Sequence, residues 1–138
     1  MKRIILLAFL CTTTLVMAQR INHVQEAIAN YDYEAALTLI AKEKPTIPLL
    51  LQKGKAQRGL GMNTEALSTY QEIITNDTAN TRAYIEAAEC CRSLAKYQQA
   101  LKYYEQALDL NPENKYVRIQ YIGLLLSLQK FQDALGAS

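Results

Sequence analysis

Apolar residues recur at helical spacing along almost the whole chain after residue 20, in short stretches separated by turn residues. Apolar side chains three and four positions apart lie on one face of an α-helix, so each stretch predicts an amphipathic helix. Three predicted helices span about residues 21–30, 33–42 and 48–60, and a fourth runs from about residue 63 to the break at 76–78. A fifth begins at about Thr81 and ends at a turn over residues 93–96, a sixth follows that turn and ends at 111–114, and the last spans 115–128. Gly and Pro are scarce, at 5 and 3 residues, which disfavours a sheet sandwich with many turns. The predicted fold class is therefore all-α.

Residues with known preferences at helix ends mark several of these boundaries. Pro48 fits the first turn of its helix, where its missing N–H leaves no hydrogen bond unmade. Thr81, and either Asn63 or Thr64, are predicted to cap the helices that follow them. These positions divide the chain into helix pairs joined by short turns.

The last predicted helix differs from the others in its hydrophobic pattern. Residues 115–128 are apolar nearly all round, which predicts packing against neighbours on more than one side. The sequence from Phe131 to Leu135 then resembles the beginning of a further helix. A helix of about seven residues is not stable alone in water, so we expect the chain to be a fragment of a longer array.

An internal repeat links the helix pairs. The second helix of a pair carries an alanine, a leucine and then a tyrosine in a pattern that recurs at a constant interval. The pattern is Ala66-Leu67-x-x-Tyr70, then Ala100-Leu101-x-x-Tyr104, and it begins again at Ala134-Leu135. A related pattern begins at Ala36, a slightly shorter interval before Ala66. A fixed period of this length is typical of a helical repeat protein, whose units stack to cover their apolar faces.

The best-formed unit, residues 81–114, also carries the signature positions of a known family. They are Tyr84, Ala87, Ala88, Ala100, Tyr104, Ala107 and Pro112. With these residues at these spacings the chain resembles the tetratricopeptide repeat family. The resemblance implies a right-handed superhelical array of antiparallel helix hairpins, with a concave groove lined mainly by the first helix of each pair. Residues 19–46 would form a degenerate unit, 47–80 and 81–114 complete units, and 115–138 a truncated one.

The resemblance implies that a set of side chains on the first helices points toward or near that groove. These side chains are candidate peptide-binding residues. They are Lys55, Arg58, Arg82, Glu86, Glu89, Arg92, Tyr116 and Ile119. One hypothesis is that the four basic residues hold an extended peptide or an acidic tail. The alternative is a solvated helix surface with local ion pairs such as Glu89 with Arg92. The family's carboxylate clamp for chaperone tails is not expected, because Leu51 and Lys55 occupy the positions of its Lys and Asn.

Residues 1–18 have the layout of a secretory signal peptide. Lys2 and Arg3 precede an apolar run from Ile4 to Val16, and small or tolerated residues follow before Gln19. We therefore expect residues 1–18 to be cleaved and the protein to be exported to the periplasm or cell envelope of a bacterium. The apolar run is shorter than the ~20 residues that span a bilayer, so a retained membrane anchor is the weaker alternative.

Removing that segment leaves a formally neutral chain. Lys2 and Arg3 are its only charged residues, so the 15 Lys and Arg fall to 13 and equal the 13 Asp and Glu. Nucleic-acid binding needs a basic surface, so neutrality together with export argues against a nucleic-acid partner.

The sequence holds no constellation typical of catalysis or of metal or cofactor binding. His23, the only histidine, has no neighbouring pattern of carboxylate and nucleophile. Cys90 and Cys91 are adjacent on a helix, where a bond between them would distort the backbone. We expect Cys91 to be a buried packing residue and Cys90 to be more exposed and able to pair with an outside thiol. No cofactor or metal is predicted, and an enzyme is not expected.

These observations predict an exported, non-enzymatic scaffold that binds a peptide or protein partner in its concave groove. One alternative is a helical module of a larger exported enzyme or of an uptake or secretion lipoprotein. Another is a purely structural spacer between domains.

Overall fold

A computed structural model describes residues 1–136 of the chain. These residues form seven α-helices and no strand, so the all-α prediction is confirmed. The helices are α1 (Lys2–Ala29), α2 (Tyr33–Ile40), α3 (Ile47–Gly59), α4 (Asn63–Asn76), α5 (Thr81–Ser93), α6 (Tyr97–Leu110) and α7 (Lys115–Gly136).

The first of two compact units, residues 1–61, contains α1, α2 and α3. Helix α1 packs against α2 and α3, and α2 packs against α3. Six buried side chains form their shared core: Val24, Ile28, Ala36, Ile40, Leu49 and Ala56. Only the second half of α1 joins this core, since residues 1–20 are exposed throughout.

Helix α1 begins earlier than the sequence predicts. It was expected to start at Ile21, yet the apolar segment before it is also helical and continues into it without a break. Among residues 1–136, α1 is the one helix long and apolar enough to cross a membrane. Its most apolar window has a mean hydropathy of 1.9, and none of that window is buried. A signal sequence near an N-terminus meets the same criterion.

The second unit, residues 62–138, contains α4 to α7 and is described as far as residue 136. Helix α5 packs between α4 and α6, and α7 packs against α6. The alanine and tyrosine of the repeat are buried in both complete copies, at Ala66 and Tyr70 and at Ala100 and Tyr104. The repeat in the sequence therefore marks core positions of the folded chain.

The structure corrects two of the predicted helix caps. Helix α5 is capped by Asn80 rather than Thr81, because the Asn80 side chain accepts a 3.0 Å hydrogen bond from the N–H of Ala83. Helix α4 has Met62 as its N-cap and no side-chain cap bond, so neither residue predicted there acts as a cap. Pro48 lies in the first turn of α3, as predicted.

Three turns between helices contain a residue with left-handed backbone geometry: Tyr31 (φ 61°), Gly61 (φ 74°) and Ala95 (φ 57°). At the end of α5, the N–H of Lys96 donates to the C=O of Cys91 at 2.8 Å and closes the helix. Gly61 and Ala95 occupy the same position in successive repeat units, and Gln129 is the equivalent position in the next one.

Helix α7 does not turn at Gln129. It runs without a break from Lys115 to Gly136, so the predicted helix end at Leu128 and the new helix beginning at Phe131 are wrong. At the preceding turn, α6 folds back and packs against α5, whereas the side chains of Phe131 and Leu135 are exposed. Because these two side chains bury little surface, they add little free energy that would favour a turn, and the chain keeps its helical hydrogen bonds. The last two residues of the predicted truncated unit lie outside the described residues.

Candidate functional site

A cluster of polar side chains, which we call the Glu89 cluster, joins α5, α6 and α7 in the second unit. Glu89 Oε1 accepts hydrogen bonds from the hydroxyls of Tyr104 at 2.5 Å and Tyr116 at 3.0 Å. Arg92 Nη1 donates to Gln120 Oε1 at 2.6 Å and to the Tyr104 hydroxyl at 3.4 Å. Arg92 and Glu89 also form an ion pair, with 3.6 Å between Nη1 and Oε2. Five side chains from three helices thus hold one another in place.

Tyr104 is the buried centre of the Glu89 cluster. Burial and, second, the hydrogen bond to Glu89 raise the pKa of the Tyr104 phenol well above its usual range, so the phenol stays neutral and keeps donating. The hydrogen bond with Tyr104 raises the pKa of Arg92, which stays charged. The Arg92 side chain is 38% exposed and that of Glu89 17%. The cluster therefore exposes more of its positively charged Arg92 side chain to solvent than of its negatively charged Glu89 side chain.

An open groove of about 820 Å³, which we call the α5–α7 groove, lies beside the Glu89 cluster. Its lining residues come from three helices: Glu89, Arg92 and Ser93 of α5, Tyr97 of α6, and Leu124, Ser127, Leu128 and Phe131 of α7. The lining thus combines leucine and aromatic side chains with a charged pair, Glu89 and Arg92, and with three hydroxyl groups, those of Ser93, Tyr97 and Ser127. Such a lining suits a ligand that has a large apolar group next to polar atoms.

The four basic candidates occupy different environments. Lys55 is exposed and Arg58 half-buried on α3 of the first unit. Arg82 is exposed in the first turn of α5, and Arg92 lies in the last turn of that helix. At 1.5 Å per residue the two arginines of α5 are about 15 Å apart along the helix axis, so one carboxylate cannot contact both. A ligand that contacts both arginines of α5 must therefore be extended, whereas joint binding by all four residues stays a prediction.

The other four candidates divide between the cluster and the surface. Glu89 and Tyr116 are bonded to each other, and the local pair of Glu89 with Arg92, expected under the alternative, is present. Glu86 is half-buried on α5, and Ile119 is exposed on α7. The structure therefore brings three of the eight predicted residues into one site.

Sequence reasoning missed most of the apolar lining of the α5–α7 groove. Leu124 and Leu128 lie in the helix that was predicted to pack on more than one side, and Phe131 was predicted to begin a further helix. None of these residues, nor Tyr97, was predicted to line a groove. Tyr97 and Phe131 occupy equivalent positions in successive repeat units, as Ala100 and Ala134 do. A large aromatic side chain at the same position of two units was the signal that could have identified them.

The two adjacent cysteines are both fully buried. The expectation for Cys91 is met, whereas the prediction that Cys90 is more exposed is wrong. Helix α5 packs against both α4 and α6, so more than one face of the helix is covered. Burial raises the pKa of the Cys91 thiol and disfavours the reactive thiolate. Neither cysteine is accessible to an outside thiol in this fold.

Histidine and acidic residues do not converge in the part of the chain that the structure describes. His23 is an exposed residue of α1, with 3.9 Å between its Nδ1 and Glu26 Oε2. Across residues 1–136 no group of three or more His, Cys, Asp or Glu side chains is placed to hold a metal ion.

Two family models, both described as tetratricopeptide repeat, match the chain over residues 51–114 and 92–137. Together the two models cover more than half of the chain. The human protein named Tetratricopeptide repeat protein 6 is 30% identical over 89 residues, which are 64% of this chain and 16% of that protein. The chain therefore spans a small part of the length of this relative.

Solved structures with peptides bound share the fold. The first TPR of Spaghetti (RPAP3), bound to an HSP90 peptide, has a TM-score of 0.76 at 20% identity and covers 81% of this chain and 92% of its own. The type III secretion chaperone SycD of Yersinia enterocolitica, in complex with a peptide of the translocator YopD, has a TM-score of 0.74 at 18% identity. That match covers 85% of this chain and 95% of the other. At these identities the likeness shows the fold alone.

Proposed function

Since the chain belongs to the tetratricopeptide repeat family, we propose that it is a non-enzymatic protein-interaction scaffold that holds an extended peptide segment of a partner in the α5–α7 groove. The observation that carries this proposal is an open, largely apolar groove directly beside a charged, hydrogen-bonded cluster. Similar folds with bound peptides in two solved structures support it.

The α5–α7 groove offers two kinds of contact to such a peptide. A large apolar side chain of the peptide is buried among Tyr97, Leu128 and Phe131, which contributes about 1.5–3 kcal/mol. A carboxylate or carbonyl oxygen beside it accepts from Arg92, whose guanidinium is already held by Gln120 and Tyr104. Because this guanidinium is oriented before the ligand arrives, binding loses little side-chain entropy.

A second contact is proposed at Arg82, which is exposed in the first turn of α5 and does not itself line the groove. An extended peptide advances about 3.3 Å per residue, so the ~15 Å between Arg92 and Arg82 corresponds to about five residues. The preferred peptide therefore carries an acidic group beside its apolar anchor and a second one about five residues away. Lys55 and Arg58 remain candidates for further contacts to an acidic ligand.

A random peptide library displayed on phage tests this proposal with a defined probe. Peptides selected on the wild-type chain are synthesised with a fluorophore, and their Kd values are measured by anisotropy. We expect Phe131→Ser to weaken binding at least tenfold and Arg82→Glu to weaken only peptides that carry the second acidic residue. The control is Leu110→Ser, which removes an exposed leucine of α6 outside the groove.

Two results would contradict the proposal. One is that no peptide is selected above the background of a library without target. The other is that peptides bind the Phe131→Ser and Leu110→Ser variants with the affinity they have for the wild type.

We further propose that residues 1–18 direct the protein out of the cytoplasm, into the periplasm or cell envelope of a bacterium. Their exposure throughout supports a removable segment, because no core packing depends on it. An ion pair to the rest of the unit lies just after the expected cut, where Arg20 is 2.8 Å from Glu43. The first buried side chain of α1 is Val24.

A further inference from the structure

The outward face of α7 carries a stripe of exposed residues at alternating spacings of four and three. They are Lys115, Ile119, Ile122, Leu126, Gln129 and Asp133. The three apolar side chains in the middle are 67%, 47% and 53% exposed. The two buried residues of α7, Val117 and Leu124, lie on the opposite face of the helix.

This spacing is that of the a and d positions in a coiled-coil seam. Each seam residue of one helix inserts between residues of a facing helix, and apolar side chains are favoured at the centre. Here the apolar residues are central, and the two ends carry opposite charges: Lys115 at one end and Asp133 at the other. A facing helix of matching length, about 27 Å from Lys115 to Asp133, would cover all six positions.

We propose that α7 pairs with α7 of a second copy of this chain in an antiparallel, two-fold symmetric seam. The end charges select this occupant and its orientation. A parallel pair would place Lys115 opposite Lys115 and Asp133 opposite Asp133, and like charges at these distances repel.

In the antiparallel arrangement, Lys115 of each copy lies opposite Asp133 of the other, so both ends of the seam carry an attractive pair. The same register places Ile122 opposite Leu126 twice at the centre, and Ile119 opposite Gln129. One alignment thus satisfies the charges and the apolar residues together. A two-fold interface uses the same surface on both copies, which is the commonest form of homodimer.

The seam is separate from the α5–α7 groove. Leu128 and Phe131 line the groove but do not belong to the stripe. Substitutions can therefore alter one surface and leave the other unchanged. Ile119, a predicted groove residue, is assigned to the seam by its place on the outward face. The pairing does not depend on the proposed peptide binding.

Charge reversal at the two ends of the stripe tests the proposal. The full chain is studied in a mild non-ionic detergent by sedimentation equilibrium, and by co-purification of two copies with different tags. Every variant retains the apolar helix α1, so any association through that helix is common to all of them. Circular dichroism checks that each variant keeps the helix content of the wild type.

The wild type is expected to form dimers. Asp133→Lys and Lys115→Asp, each alone, are expected to raise the dimer Kd about tenfold or more, because two attractive pairs become repulsive. The double variant is expected to restore the wild-type Kd to within about threefold. The two single variants, once mixed, are expected to co-purify with each other better than either does with itself. Asp109→Lys, a charge reversal on α6, is expected to leave the Kd unchanged.

Three outcomes overturn the proposal. One is that the protein is a monomer at every concentration. This result would mean that the face is covered instead by a helix of another protein or by a further part of a longer chain. Another is a dimer whose Kd does not respond to charge reversal at residues 115 and 133. The third is a dimer that survives Ile122→Glu, which places a charge at the centre of the seam.

Discussion

The phenol of Tyr104 donates a 2.5 Å hydrogen bond to Glu89, and this bond connects a repeat position of α6 to the charged rim of the α5–α7 groove. The Tyr104 ring is fully buried among the helices. Its hydroxyl also accepts from Arg92, which in turn binds Gln120 of α7. The buried tyrosine of the repeat thus also orients the arginine that is proposed to meet a ligand.

Replacing Tyr104 by phenylalanine keeps the ring and removes the hydroxyl. Glu89 then loses its shortest hydrogen bond, and Arg92 loses an acceptor. Hydrogen bonds to charged groups in partly buried sites are strong, so we expect the free energy of unfolding to fall by about 2 kcal/mol. Urea unfolding followed by circular dichroism measures the change.

Tyr121→Phe is the matched control for this substitution. The Tyr121 hydroxyl donates to Glu105 at 2.7 Å in an exposed pair. Solvent replaces an exposed hydrogen bond at little cost, so the expected loss is below about 0.5 kcal/mol. Equal losses of unfolding free energy in the two variants would show that the buried hydrogen bond of Tyr104 stabilises the fold no more than an exposed one.

The raised pKa of Tyr104 predicts a loss of stability at alkaline pH. The usual pKa of tyrosine is 10.0, and the folded value lies above it. Above about pH 10 the unfolded chain releases this proton while the folded chain retains it. The contribution of Tyr104 is therefore constant below pH 10 and falls as the pH rises toward the folded pKa.

Comparing the wild type with Tyr104→Phe isolates this effect, because the other tyrosines are common to both. The gap in free energy of unfolding between the two is expected to narrow by about 1 kcal/mol from pH 9 to pH 11. A gap that stays constant would mean that the phenol titrates alike in the folded and unfolded chain.

Gly59, at the end of α3, permits close contact with the ring of Tyr33. A Cβ atom at position 59 would overlap Tyr33 Cε2, and the ring cannot move without leaving the core to which it packs. We expect Gly59→Ala to lower the free energy of unfolding by about 1–3 kcal/mol. Combining it with Tyr33→Ala should recover part of this loss, which a double-mutant cycle would measure.

Gly123→Ala provides a control with the opposite sign. A Cβ at this position meets no atom within 4 Å, and the residue lies inside helix α7. Alanine favours a helix interior over glycine, so stability is expected to rise by up to about 1 kcal/mol. A loss of stability at Gly123 as large as that at Gly59 would rule out the steric explanation.

Processing of the N-terminus tests the proposed export. Mass spectrometry of the protein purified from the producing bacterium is expected to find Gln19 as the first residue. Ala18→Arg is expected to leave the chain uncut, because a large charged residue before the cut is not tolerated. Ala41→Arg, the same change at another exposed alanine, should not affect processing. An intact Met1 in the wild type would favour a retained anchor.

Local patterns in the sequence were sufficient for much of the fold. The stripe spacings predicted the helices, and the repeat placed Ala66, Tyr70, Ala100 and Tyr104 in the core, where they are buried. The ion pair of Glu89 with Arg92 was foreseen for the same reason, since residues three apart on a helix are neighbours. The handedness of the whole array stays a prediction from the family resemblance.

The sequence alone determined most of the helices and their buried faces, because these follow from spacings of three and four residues within one element. It also determined the repeat, which is one pattern recurring along the chain, but not where α1 begins or α7 ends. Only the tertiary structure decided which helices are covered by two neighbouring helices and which side chains from different helices contact one another. Packing of α5 against both α4 and α6 accompanies the burial of Cys90, and α7 continues past Gln129 to Gly136 with Phe131 and Leu135 exposed. The Glu89 cluster joins side chains as distant in the sequence as Arg92 and Gln120, and such contacts depend on how the helices pack rather than on the pattern of any one of them.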